Sequence, residues 1–185
     1  MRTVLNAIYK TATMLAAACL VAIATLVVAQ VGGRLIDGGR RALGLDPWGL
    51  LVPSLAEIAG FLLVGASFLA LAGTLRRGDH IRVSILLQAV PDKIARFLDL
   101  WSLSIGFALA AFFAWQAGLL TLDSHRYNEV SFGIIPIPLV YPQAVMTMGL
   151  GVFALALFDD LVSMLFGGPA SFEAAERTDP IEGVE

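Results

Sequence analysis

Charge is scarce in this sequence. Of 185 residues only 12 are Lys or Arg and 15 are Asp or Glu, 15% in all, against about 25% in ordinary soluble domains. The shortage is uneven: no charged residue falls from Thr11 to Gly33, from Ile58 to Leu75, from Leu100 to Leu122, or from Val130 to Phe158. Cysteine is almost missing. Cys19 stands alone, which excludes an internal disulfide or a thiolate metal cluster within one chain and leaves a small apolar helix residue. Histidine occurs only as His80 and His125. A Gly-rich phosphate loop, H-E-x-x-H and G-x-S-x-G are all absent, so the common phosphate, zinc-protease and serine-hydrolase signatures find no support.

What is present is apolar length. Hydrophobic residues make up 58% of the chain, and a helix needs roughly 20 of them to cross about 30 Å of hydrocarbon. The four charge-free runs predict an all-α integral membrane protein with four transmembrane helices, spanning about 11–33, 55–75, 97–122 and 138–165. Residues 1–166 form the four-helix membrane domain in this reading, and residues 167–185 an acidic tail expected to be disordered. The start resembles a secretory signal in its Arg2 and Lys10 and in Val27-Val28-Ala29. Its apolar core is too long for one, so the first run reads as an uncleaved span. Residues 34–48 carry glycines and Arg40-Arg41, with a period too weak to choose between a short interfacial helix and a loop.

Local signals refine the spans. Ser54-Leu55-Ala56-Glu57 has the spacing of a capping box at the start of span 2. Glu57 is the acid in the first turn of predicted span 2. An intramembrane carboxylate raises an ion or substrate role, but a first-turn position near the positive end of the helix dipole favours capping, with a polar contact to a partner also compatible. Pro91-Asp92 opens the helix that becomes span 3. Gly106, Ala110, Ala114 and Gly118, four apart, place small side chains on one stripe for close helix packing.

Basic residues set the orientation. With four spans, the N-terminus, the 76–96 loop and the tail share one side, which holds Arg2, Lys10, Arg76, Arg77, Arg82, Lys93, Arg96 and Arg177. The other side holds Arg34, Arg40, Arg41 and Arg126. Both termini are therefore expected in the cytoplasm. Asp79-His80 resembles an acid–base fragment, but His125 lies across the membrane, so the two histidines share neither a metal nor a haem. No catalytic residue, metal or cofactor is expected. Ile81 to Val90 is too short to span and suits a segment lying at the interface between helices 2 and 3, where the basic loop meets membrane lipids.

Arg77-Gly78-Asp79-His80-Ile81-Arg82-Val83, after a span opened by Glu57, resembles the small membrane (Q-type) subunit of tripartite ATP-independent periplasmic (TRAP) transporters, which carries a glycine-x-histidine-isoleucine-arginine-valine signature there. Pro91, Lys93 and Arg96 follow as that family's proline and basic helix start do. Asp99 enters span 3, and Ile135-Pro136 or Ile137-Pro138 with Tyr141 opens span 4. Ser84 departs from the acidic or amide residue usual after the valine, and the link between spans 1 and 2 is longer than usual. The resemblance covers roughly residues 34–161 and implies a subunit of the bacterial inner membrane that is not an enzyme. It implies two further chains: a large membrane subunit with the sodium and substrate sites, and a periplasmic substrate-binding protein that delivers an organic anion. This chain would brace the large subunit, and Glu57, Gly78, His80, Arg82, Asp99 and Tyr141 would be its partner or structural contacts. No nucleic-acid partner is implied. Two other readings stay open on the residues alone: a self-sufficient small carrier or channel built on Glu57, Gln30 and Gln116, and a non-transport membrane anchor or enzyme subunit.

Overall fold

A computed structural model describes residues 2–77 and 91–166. Within them lie four helices: α1 (Arg2–Ala42), α2 (Leu55–Arg77), α3 (Asp92–Tyr127) and α4 (Val140–Leu165). Each is long and apolar enough to cross a membrane. The segment 81–90 and the tail 167–185 lie outside the described residues.

Helix α1 is much longer than its charge-free run. Its 41 residues rise about 60 Å at 1.5 Å each, twice the hydrocarbon thickness. Residues 34–42 thus continue the helix, while residues 43–53 are irregular. The stop is a Schellman turn: Leu45 N–H donates to the Arg40 carbonyl at 2.9 Å and Gly44 N–H to Arg41 at 3.0 Å, with Gly44 at φ 72°. A glycine just past the last turn supplies that left-handed step without steric cost.

The residues of α1 that face the bundle are Tyr9, Ala12, Ala16, Cys19, Ile23, Leu26, Gln30, Gly33 and Asp37, all buried or half-buried. Their spacing alternates three and four without a break over eight intervals, the 3.5-residue seam of a shallow left-handed crossing. Ala12 and Ala16 pack there against Leu69 of α2.

The helices pack in the order α1–α2–α4–α3, and α1 also touches α4 lightly. Helix α4 is therefore the hub. At its crossing with α2, a Cβ on Gly149 would lie 2.6–2.8 Å from the Phe68 carbonyl carbon, carbonyl oxygen and Cβ, so only glycine lets the two backbones approach this closely. On the other side the small-residue stripe of α3 does face α4. Ala110 is buried, Gly106 lies over Leu157 and Gly118 over Thr147, and the Thr121 and Thr147 hydroxyls meet at 3.1 Å. Ala72, Leu75, Leu103, Ala154, Ala156, Leu157 and Met164 join this packing to Tyr9 in one cluster.

The capping box expected at Ser54 and Glu57 is not formed. Ser54 takes a left-handed backbone, φ 55°, which turns its carbonyl, rather than its hydroxyl, toward the amides of Glu57 and Ile58, each at 3.0 Å. The hydroxyl is left to accept from Ile135 N–H at 3.0 Å, and the chain reversal between α3 and α4 docks on the start of α2.

Candidate functional site

The polar side chains gather at the two ends of the bundle and leave its middle apolar. At the amino-terminal end of α1, Arg76 closes α2 and reaches across to two other helices. Its guanidinium pairs with Asp159 of α4 at 2.7 Å, donates to the Asn6 side chain of α1, and lies 4.3 Å from the centre of the Tyr9 ring. One planar cation thus ties α1, α2 and α4 together in the last turn of α2. Arg96, on the far side of that loop, donates to the Met164 carbonyl at 2.9 Å and so satisfies a carbonyl in the last turn of α4. Asp160 is buried beside Asp159 and is itself engaged. The end of α2 and the first turns of α3, which flank residues 78–90, are therefore both fastened to α4.

At the opposite end residues 43–53 fold back along α1 as a hook. The buried Asp37 carboxylate accepts from Trp48 N–H at 2.8 Å and from Gly49 N–H at 3.1 Å. Gln30 accepts from Val52 N–H at 2.7 Å. Arg40 donates to the Asp46 carbonyl at 2.8 Å and stacks 4.6 Å from the centre of the Trp48 ring. The Leu50 carbonyl lies where a Cβ on Gly33 would be, so glycine at 33 is what lets the hook lie flat. Amides left exposed by the irregular backbone are answered by side chains of α1, as their position near hydrocarbon requires.

The reversal 128–139 sits beside the hook's exit. Asn128 ends α3 in a left-handed step with its N–H on the Ser124 carbonyl. Buried Ser124 donates to Glu129 at 2.6 Å, and Val130 pairs with Pro138. The tip, Phe132 to Ile135, is pinned through Ser54, with Phe132 fully exposed.

The six expected contact residues are not brought to one place. Gly78, His80 and Arg82 lie outside the described residues. Asp99, half-buried on α3, is engaged and lies toward the Arg76 end. Glu57 and Tyr141 lie at the other end. Tyr141 is exposed on the first turn of α4. One Glu57 carboxylate oxygen is buried with no hydrogen-bond partner among the described residues, pressed on Gly133 of the tip.

Asp159, Asn6, Asp37 and Trp48 were not singled out from the sequence. A signal for the first existed: Arg76 and Asp159 close spans 2 and 4, which the four-span topology puts on one face. Asp37 carried none, because its partners are backbone amides.

No continuous polar path joins the two ends among the described side chains. Gln30 is held by the hook, and Gln116 lines an apolar groove of about 450 Å³ between α2 and α3 with Phe68, Phe113 and Leu120. Among the described residues, no three His, Cys, Asp or Glu side chains could hold a metal.

A family profile described as "Tripartite ATP-independent periplasmic transporters, DctQ component" matches residues 50–167, from the foot of the hook to the end of α4. No curated protein matches the chain.

Proposed function

This chain belongs to the DctQ component family of tripartite ATP-independent periplasmic transporters, and on that premise we propose that it is the passive brace of its complex. It is the small membrane subunit, and its role is to widen the fixed scaffold of a separate large membrane subunit. The large subunit couples sodium entry to uptake of an organic anion, and a periplasmic binding protein delivers that anion. The chain sits in the bacterial inner membrane with both termini in the cytoplasm, and residues 81–90 lie along the inner interface. Glu57, Gly78, His80, Arg82, Asp99 and Tyr141 serve as partner or structural contacts and carry no catalytic step.

One observation carries this reading. At the Arg76 end and along the hook, Arg76, Asp159, Arg96, Asp37, Gln30 and Arg40 are taken up in tying helix to helix or loop to helix. An intramembrane polar group that moves a solute must face a water-filled path or a second moving element, and the middle of this bundle is apolar.

The test is to co-express the chain with the large membrane subunit of its transporter. His80→Ala and Arg82→Ala are expected to lower the amount of large subunit that copurifies, and uptake in proportion. Uptake lost while the complex and the docking of the binding protein stay normal would overturn the bracing role of this loop.

A further inference from the structure

Two arginines at the hook end of α1 are answered by nothing else described. Arg34 and Arg41 are exposed, and neither guanidinium makes a hydrogen bond or ion pair with another described residue. Seven residues apart, they lie on one face, about 10 Å from each other along the axis. Leu20 and Val27 continue that same line of sevens back into the apolar run, and both are exposed. The line is apolar where α1 crosses hydrocarbon and cationic where it leaves.

The hook lies at the matching depth. The charge-free run ends at Gly33, so Gly33 marks the hydrocarbon boundary. Leu50 rests on Gly33 and Val52 on Gln30, so the hook descends to that boundary. Trp48 is held at Asp37, one turn or about 6 Å further out, within the headgroup layer. Trp48, Leu50 and Leu51 are all exposed. Tryptophan at headgroup level above leucines at the hydrocarbon edge is the order of an interfacial element.

We propose that this end of α1 is a seat for an anionic phospholipid of the outer leaflet. The lipid phosphate lies between the Arg34 and Arg41 guanidiniums, which match phosphate oxygens in charge and in fork geometry. Its acyl chain follows Val27 and Leu20. Arg41 reaches back toward the headgroup layer along its own methylenes. Charge complementarity and the unbroken run into an exposed apolar helix face together select a lipid as the occupant. The inference rests on α1 crossing the membrane with its N-terminal end in the cytoplasm, as proposed above, and is independent of the transport role.

Trp48 reports on the seat directly. With Trp101→Phe and Trp115→Phe, Trp48 is the sole tryptophan of the full chain in lipid nanodiscs. Brominated phosphatidylglycerol is expected to quench it more strongly than brominated phosphatidylcholine at equal mole fraction, by a preference on the order of tenfold for two arginines at an interface. Arg34→Gln with Arg41→Gln should abolish the preference while helix content and residual quenching persist. Inorganic phosphate in the buffer should leave the preference intact. Three results would each overturn the proposal: no quenching by either lipid, equal quenching by both in the unaltered arginine background, or loss of the preference on adding free phosphate.

Discussion

Asp37 holds the hook with both of its oxygens, each on a backbone amide, in a buried position. Hydrogen bonds to a charged group contribute about 1.5–3 kcal/mol each, and Asp37→Ala removes two. The hook should then leave α1 without unfolding the bundle, because the 3.5-residue seam with α2 lies mostly below it. Trypsin reads this outcome: cleavage after Arg40 and Arg41 is expected to quicken by tenfold or more, and unchanged cleavage would show that other contacts hold the hook. Arg76 behaves differently, since its pair with Asp159 is about a quarter exposed on each side and therefore partly screened. Arg76→Met still strands a half-buried carboxylate, and a loss of about 1–2 kcal/mol is expected. Arg76→Met with Asp159→Leu should recover part of it, because no unpaired charge is left. Thermal unfolding in detergent of the two single variants and the double variant measures the coupling. The capping box shows where residue-level reading reaches its limit. The spacing of Ser54 and Glu57 was right for a box, but Ile135, 81 positions away, took the serine hydroxyl.

Among the elements, the α2–α4 contact is set by one glycine. Gly149→Ala would drive a methyl group into the Phe68 backbone, which cannot swing aside as a flexible side chain would. A loss of about 1–3 kcal/mol is expected from the forced separation. Gly151, two residues on, has nothing within 4 Å of its missing Cβ, and Gly151→Ala should be neutral or stabilise α4 by up to about 1 kcal/mol. Comparing the two unfolding midpoints removes any general effect of alanine. The difference between these glycines was invisible in sequence, where both simply interrupt an apolar run. The stripe from Gly106 to Gly118 was legible because a four-residue spacing marks one helix face wherever the partner stands. The extent of α1 was legible only in part. Arg34 ended the charge-free run, whereas the helix itself runs on to Ala42 and stops at Gly44, a stretch whose period was too weak to read. Those two boundaries need not coincide.

At the scale of the whole molecule, the four described helices are apolar, with their polar ties gathered toward both ends. The purified chain alone in liposomes, under an inward sodium gradient, is expected to accumulate no organic anion; measured uptake would restore the self-sufficient carrier as a reading. The number of helices long and apolar enough to cross a membrane, the helical class and the family were all legible in the sequence, because hydrophobic length, charge placement and a signature are properties of the chain taken one residue at a time. Which helices touch was decided only by the tertiary structure. Helices apolar all round do not announce which face is covered, so the order α1–α2–α4–α3, the clasp of Arg76 on Asp159 and Asn6, and the hook on Asp37 became visible only once distant segments were brought together. Each of these contacts depends on the shape and hydrogen-bonding need of a partner that lies elsewhere in the chain.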